Sequence, residues 1–134
     1  AAYAGIGGAD NTSCSSATAR CTAGTSEPFG GDQSISSCTV NSSTTVDGNG
    51  WVLVDLLNIS SGSPLSRLPI DPVNNNSYFY AYACTGTATS TSWELDANME
   101  SNKYSVNASS SVELNTRDGG DNDSWHEIGA KLNM

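Results

Sequence analysis

Residues 77–98 read SYFYAYACTGTATSTSWELDAN and carry the clearest structural pattern in this chain of 134 residues. Aromatic and small residues alternate over residues 77–84, and a second alternating segment covers residues 90–98. Such alternation is typical of β-strands, and the Thr-Gly-Thr-Ala connection at residues 85–88 suits a hairpin. We expect the first strand to bury its phenylalanine and alanines on one face and to leave its three tyrosines half exposed on the other.

The chain before this hairpin contains two prolines and a cluster of large apolar residues. Pro69 and Pro72 forbid regular structure, so residues 68–72 (LPIDP) should form a rigid extended strap across the core. Residues 51–59 (WVLVDLLNI) are mostly apolar and fit a short buried helix or a strand equally well. The body of the domain should therefore begin near Trp51.

The composition limits the class of fold and of partner. Ser, Thr, Asn and Gly account for 60 of the 134 residues, which favours strands and turns over long helices. The length suits one domain with a single core. Five basic residues against 14 acidic ones give a net charge of −9, which excludes a protein that follows a nucleic-acid backbone. No apolar run is long enough to span a bilayer.

The first part of the chain is rich in Ser, Thr and Cys. Residues 1–49 contain few large apolar side chains, so we expect them to lie as a long stapled loop over a body at residues 50–134. The even set of cysteines indicates an oxidising compartment and two disulfides. Its members are Cys14, Cys21, Cys38 and Cys84. Three pairings are possible, and we favour Cys14–Cys21, which closes a short loop, together with Cys38–Cys84.

An acidic segment lies near the C-terminal end, at residues 117–125 (RDGGDNDSW). It holds three carboxylates and one amide within six residues: Asp118, Asp121, Asn122 and Asp123. Its two glycines let the backbone fold back, so that these oxygens can converge on a hard cation such as Ca²⁺. The spacing is not that of an EF-hand. A solvated acidic turn in front of a last strand at residues 125–132 is the other interpretation.

The sequence lacks the common catalytic motifs. It contains no Gly-x-Ser-x-Gly, no phosphate-binding glycine loop with its lysine, and no His-Glu-x-x-His. His126 and Glu127 are neighbours that would point to opposite faces of a strand. Glu94, Asp96 and Glu100 could resemble paired glycosidase carboxylates, but we expect them on a solvated face because so small a chain cannot build a deep cleft. We therefore expect no enzyme activity.

Taken together, these motifs resemble a known family. In combination they are similar to the globular domain of type IV pilins and of the major pseudopilin of type II secretion. The similarity lies in the strap at residues 68–72, the three asparagines at 74–76, the aromatic strand at 78–82 and the Asp/Gly-rich loop in front of a Trp. The resemblance covers roughly residues 50–130. In that family, the acidic loop before the C-terminus binds calcium.

The resemblance implies a fold, a function and a set of ligands. The fold would be α+β, a pilin-like domain with a three- to four-stranded antiparallel sheet packed on a long N-terminal helix. That helix would belong to a longer parent protein and anchor it in the membrane before assembly. The function would be that of a structural subunit in an extracellular filament, with other pilin subunits as partners. The ligands of Ca²⁺ would be Asp118, Asp121 and Asp123, with Asn122 as a weaker candidate. A secreted adhesion module that recognises carbohydrate or protein through exposed tyrosines is the alternative function.

Overall fold

The computed structural model describes residues 18–24, 28–30, 35, 38–87, 90–105 and 112–134. Most of the regular structure in these ranges is β-structure. The strands are β1 (Thr18–Cys21), β2 (Thr39–Val40), β3 (Tyr80–Thr87), β4 (Ser90–Ala97) and β5 (His126–Gly129). A short 3-10 helix, Asn115–Arg117, lies between β4 and β5. None of the helices found in the described ranges is long and apolar enough to cross a membrane.

The strands form one mixed sheet in the order β2-β1-β3-β4-β5. β1 and β2 run parallel, and every other neighbouring pair is antiparallel. The predicted α+β class with three to four antiparallel strands is therefore wrong, because the sheet is mixed and five-stranded and the described part of the chain has no α-helix. The added strands lie within residues 1–49, where we expected only a loop. They are four and two residues long, too short for alternation of side chains to reveal them.

The predicted hairpin is confirmed, and its strands are β3 and β4. The first strand begins at Tyr80 rather than at Ser77, and it continues to Thr87, so residues 85–87 belong to the strand and the connection predicted at residues 85–88 is wrong there. The side chain of Asn75 accepts hydrogen bonds from the backbone N–H groups of Ser77 and Tyr78, at 2.8 and 2.9 Å, and so holds a turn in front of the strand. The strand predicted at residues 125–132 is present in a shorter form as β5.

Both faces of the sheet are covered by other parts of the chain. The phenylalanine face packs in one cluster, whose buried members are Ala19, Cys21, Phe29, Ile35, Phe79, Ala81, Ala83, Trp125 and Met134. The tyrosine face packs in a second cluster, with Val46, Trp51, Leu68, Tyr82 and Cys84 buried. Tyr82 is only 3% exposed, so the expectation of a half-exposed tyrosine face is wrong at that residue.

The cover of the tyrosine face consists mainly of chain without regular structure. Residues 68–72 contain neither helix nor strand, which confirms that regular structure is excluded there. The indole N–H of Trp51 donates to the carbonyl of Pro69 at 2.8 Å and fixes the strap to the cluster. Residues 51–59 contain only turns and an isolated bridge, so the prediction of a helix or strand there is wrong. Apolar side chains can reach the sheet from an irregular backbone, and their clustering does not require regular structure.

One disulfide within the described residues joins Cys21 to Cys38, with Cα atoms 5.7 Å apart. The favoured pairing of Cys14–Cys21 with Cys38–Cys84 is therefore wrong. The parallel pairing of β1 and β2 sets Cys21 opposite Val40 and brings Cys38 within bonding reach, a contact that loop length alone does not predict. Cys84 is also disulfide-bonded, while Cys14 lies outside the described residues.

Candidate metal centre

Strand β4 places two acidic side chains on the phenylalanine face. Trp93 and Leu95 pack against the tyrosine-face cluster, so alternation along the strand turns Glu94 and Asp96 to the opposite face. Glu94 is 1% exposed and Asp96 is 2% exposed. The expectation that they lie on a solvated face is wrong, because the chain covers this face of the sheet as well.

Strand β5 and the loop before it bring two further carboxylates to the same place. Glu127 is 1% exposed and lies opposite Asp96 in the antiparallel register of β4 and β5. Asp121 approaches from the acidic loop. One ligand atom from each of Glu94, Asp121 and Glu127 lies within 4.8 Å of the other two. We call these three residues the acidic cluster, and this arrangement could hold a metal ion.

Backbone groups orient two of the three carboxylates. The N–H of Met134 donates to Oε2 of Glu94 at 3.0 Å, and the N–H of Asn122 donates to Oε2 of Glu127 at 3.1 Å. The other oxygen of each glutamate is buried and has no hydrogen-bond partner. Buried polar atoms normally have partners. The two glutamate side chains can hydrogen-bond each other when one of them is protonated, and a cation that replaced this proton would find both as ligands.

Asp118 shapes the acidic loop. Its Oδ1 accepts the backbone N–H of Gly120 at 3.0 Å, and its Oδ2 accepts the backbone N–H of Glu127 at 2.9 Å. Nδ1 of His126 lies 3.1 Å from the same Oδ2. Since both oxygens already accept hydrogen bonds, the visible role of Asp118 is to hold the loop against β5 and to orient Glu127.

The rest of the loop fits closely against the acidic cluster. A Cβ added at Gly120 would overlap the carboxylate of Glu127, so any larger residue there would have to displace that carboxylate. The side-chain N–H of Asn122 donates to the carbonyl of Pro28 at 2.6 Å and ties the loop to the segment enclosed by the disulfide. Asp123 is exposed.

The clustered carboxylates perturb one another strongly. Burial first, and then the charges of Glu94 and Glu127, raise the pKa of Asp96 to about 9. Burial and the adjoining carboxyl of Glu94 raise the pKa of Glu127 to about 8. Burial also raises the pKa of Glu94. Each shift means that negative charge is unfavourable here without a compensating cation or proton.

The four ligands proposed from the sequence therefore have different positions in the structure. Asp121 belongs to the acidic cluster, Asp118 and Asn122 make hydrogen bonds that shape the loop, and Asp123 faces solvent. Sequence reasoning missed Glu94 and Glu127 as candidate ligands. The available signal was their alternation with large apolar residues on two strands, which indicates acids on a face of the sheet that could be buried.

Comparisons of this chain with protein-family models, with curated proteins and with solved structures gave no match. The function has to be inferred from the geometry of the acidic cluster and from the motifs of the sequence.

Proposed function

We propose that this chain is the folded head of a structural subunit in an extracellular type IV pilus-like filament, and that Ca²⁺ bound at the acidic cluster stabilises it. The observation that carries the calcium part is the convergence of the buried carboxyls of Glu94 and Glu127 with that of Asp121, with ligand atoms within 4.8 Å of one another. The combination of strap, aromatic strand and acidic loop supports the filament part.

The ligand chemistry favours Ca²⁺. All three members of the cluster offer carboxylate oxygens, which are the ligands of hard cations, and the cluster contains neither His nor Cys. Two oxygens on opposite sides of a Ca²⁺ ion are separated by about 4.8 Å, since each Ca–O distance is about 2.4 Å. The oxygens of the cluster fall within that limit.

A bound cation would join parts of the chain that are distant in sequence. Glu94 lies on β4, Glu127 lies on β5, and Asp121 lies on the loop whose Asn122 reaches Pro28. An ion that binds only the folded state adds stability by mass action, about 2.7 kcal/mol at a concentration one hundred times its dissociation constant. Such a role is structural, as expected for a subunit that has to survive outside the cell.

The disulfides and the negative charge are consistent with this setting. Cys21–Cys38 indicates an oxidising compartment. The partners in a filament would be other copies of the subunit, joined through an apolar N-terminal helix of the parent protein. Antibodies raised against this chain should decorate surface filaments of the cells that produce it, and cells that keep those filaments after deletion of the gene would rule out a major-subunit role.

Thermal unfolding tests the calcium part. The melting temperature should fall in EDTA and recover with excess Ca²⁺, and the double variant Glu94→Gln/Glu127→Gln should lose this response. Asp123→Asn is the matched control, because it removes an exposed carboxylate of the same loop and should respond like the parent. A parent protein whose melting temperature ignores both EDTA and Ca²⁺ would refute the metal role.

The alternative of a secreted adhesion module has less support. It requires tyrosines on an open face, whereas Tyr82 is buried and Tyr80 is partly buried against Trp51, with ring centroids 6.2 Å apart. Specific binding of this domain on a glycan array would revive that alternative.

A further inference from the structure

Asn-x-Ser/Thr triplets, the acceptor sequence for N-linked glycans, occur six times in the chain. In a chain so rich in Ser and Thr the triplet alone does not select a site, so the structure has to show which asparagine is able to carry a sugar. The Cys21–Cys38 disulfide indicates an oxidising, extracytoplasmic compartment, which is where such glycans are found. Four of the triplets lie in the described part of the chain. They begin at Asn41, Asn58, Asn75 and Asn122.

Two of these asparagines are held in the fold by Nδ2, the side-chain nitrogen to which a glycan would be attached. Nδ2 of Asn41 donates to the carbonyl of Gly50 at 3.2 Å, and Nδ2 of Asn122 donates to the carbonyl of Pro28 at 2.6 Å. Both contacts are partly buried. A sugar at either nitrogen would need space that the folded chain already fills, so the native structure disfavours both sites.

Asn75 is different, because its side chain is exposed and gives only its oxygen to the fold. Oδ1 accepts the backbone N–H groups of Ser77 and Tyr78, at 2.8 and 2.9 Å. Nδ2 donates to no group in the part of the chain that the structure describes. Asn76 and Ser77 are exposed as well. All three residues of this triplet are therefore accessible, and the nitrogen that would react is not used by the fold.

Asn58 is the next candidate, because it is exposed too. Its Nδ2 donates to Oδ2 of Asp55 at 2.6 Å, and the other oxygen of Asp55 accepts the backbone N–H of Leu57 at 2.9 Å. Hydrogen bonds to a carboxylate are stronger than those between neutral groups, so a glycan at Asn58 would disturb an interaction that has no counterpart at Asn75. Among the four described triplets, Asn75 is the one at which the folded chain would lose no hydrogen bond.

We propose that Asn75 is a site of N-linked glycosylation, with an oligosaccharide on a lipid diphosphate as the donor. In the transfer, Nδ2 of Asn75 forms a bond to the anomeric carbon of the first sugar, and the bond from that carbon to the diphosphate oxygen breaks. The electron pair of that bond leaves with the lipid diphosphate, and one amide proton goes to a base of the transferase. Oδ1 keeps both of its hydrogen bonds, so the turn in front of β3 is the same with and without the glycan.

Mass spectrometry of the full-length protein purified from its native cells provides the test. Fragmentation should place a sugar on the side chain of Asn75. Asn75→Asp should lose the sugar but keep the turn, because a carboxylate accepts the same two backbone hydrogen bonds. Ser77→Ala should lose the sugar as well, since it removes the hydroxyl of the triplet, and Ser77→Thr should keep it. Asn58→Asp is the matched control, and its peptide containing Asn75 should have the glycan mass of the parent.

The outcomes decide the assignment. An unmodified Asn75 in the native protein would overturn the proposal, and so would a glycan found at Asn58 in its place. A sugar that remains in Ser77→Ala would show that the triplet is not what the transferase recognises, and this also would overturn it. A cooperative thermal transition shows that each variant folds. If Asn75→Asp does not fold, Ser77→Ala still tests the site, because it keeps Asn75 and both backbone donors. These measurements do not depend on Ca²⁺ binding or on filament assembly, so they can fail or succeed independently of the proposed function.

Discussion

Acidification should stabilise the metal-free protein, because folding raises the pKa of two buried carboxyls. The pKa of Asp96 rises from 3.8 to about 9, and that of Glu127 rises from 4.5 to about 8. At pH values between the unfolded-state pKa and the folded-state pKa of each group, the native state keeps protons that the unfolded chain has lost. The free energy of unfolding must therefore increase as the pH falls, and this contribution is lost as the pH rises through the folded-state values.

The size of the effect follows from the number of extra protons. Each one changes the free energy of unfolding by about 1.4 kcal/mol per pH unit. Between about pH 7 and about pH 5.5, one extra proton is worth about 2 kcal/mol and two are worth about 4 kcal/mol. The charged groups that share the site, Glu94, Asp118 and Asp121, couple to these protons, so we expect a result between the two limits.

Urea unfolding in metal-free buffer at both pH values measures this difference. Asp96→Asn should lose about half of the pH dependence, and Asp123→Asn should retain all of it. Saturating Ca²⁺ should reverse the trend, because the cation and the protons compete for the same carboxylates. A metal-free parent whose stability is flat or increases with pH across this window would show that the carboxyls are ionised in the native state, and the reasoning would be wrong.

Two further predictions concern the parts that surround the acidic cluster. Replacing Cys21 and Cys38 by serine should lower the free energy of unfolding, measured by urea unfolding, by about 3 kcal/mol. This is the loop-closure value for their separation of 17 residues. A loss below about 1 kcal/mol would mean that the unfolded chain is already compact in this region. Gly120→Ala should weaken Ca²⁺ binding in a calorimetric titration, because the new methyl group displaces the Glu127 carboxylate. Asp123→Asn, which alters an exposed side chain of the same loop, should leave binding unchanged. Equal effects of the two substitutions would contradict the close fit at Gly120.

The sequence was sufficient to predict the elements whose side chains follow a local period or whose backbone is locally constrained. The hairpin of β3 and β4 follows from alternation, and the strap at residues 68–72 follows from its prolines. β1 and β2 could not be predicted in this way. They are short, and their place in the sheet depends on pairing with distant strands.

The acidic site was predicted in part. Asp121 lies in a dense acidic loop that is visible in the sequence. Glu94 and Glu127 were not recognised, because they are 33 positions apart and only the pairing of β4 with β5 brings them together. The disulfide was missed for the same reason, since the register of β1 and β2 selects the partner of Cys21.

The two outer strands of the sheet also affect how the protein behaves at high concentration. One edge strand of the sheet, β2, has two residues. The other edge strand, β5, has four residues and directs the acidic side chain of Glu127 inward. Short edge strands and inward-pointing charged side chains make it unfavourable for another chain to add a strand and start aggregation. Contacts between neighbouring copies in a filament should therefore be made by side chains and loops, and the sheets of adjacent heads should remain separate.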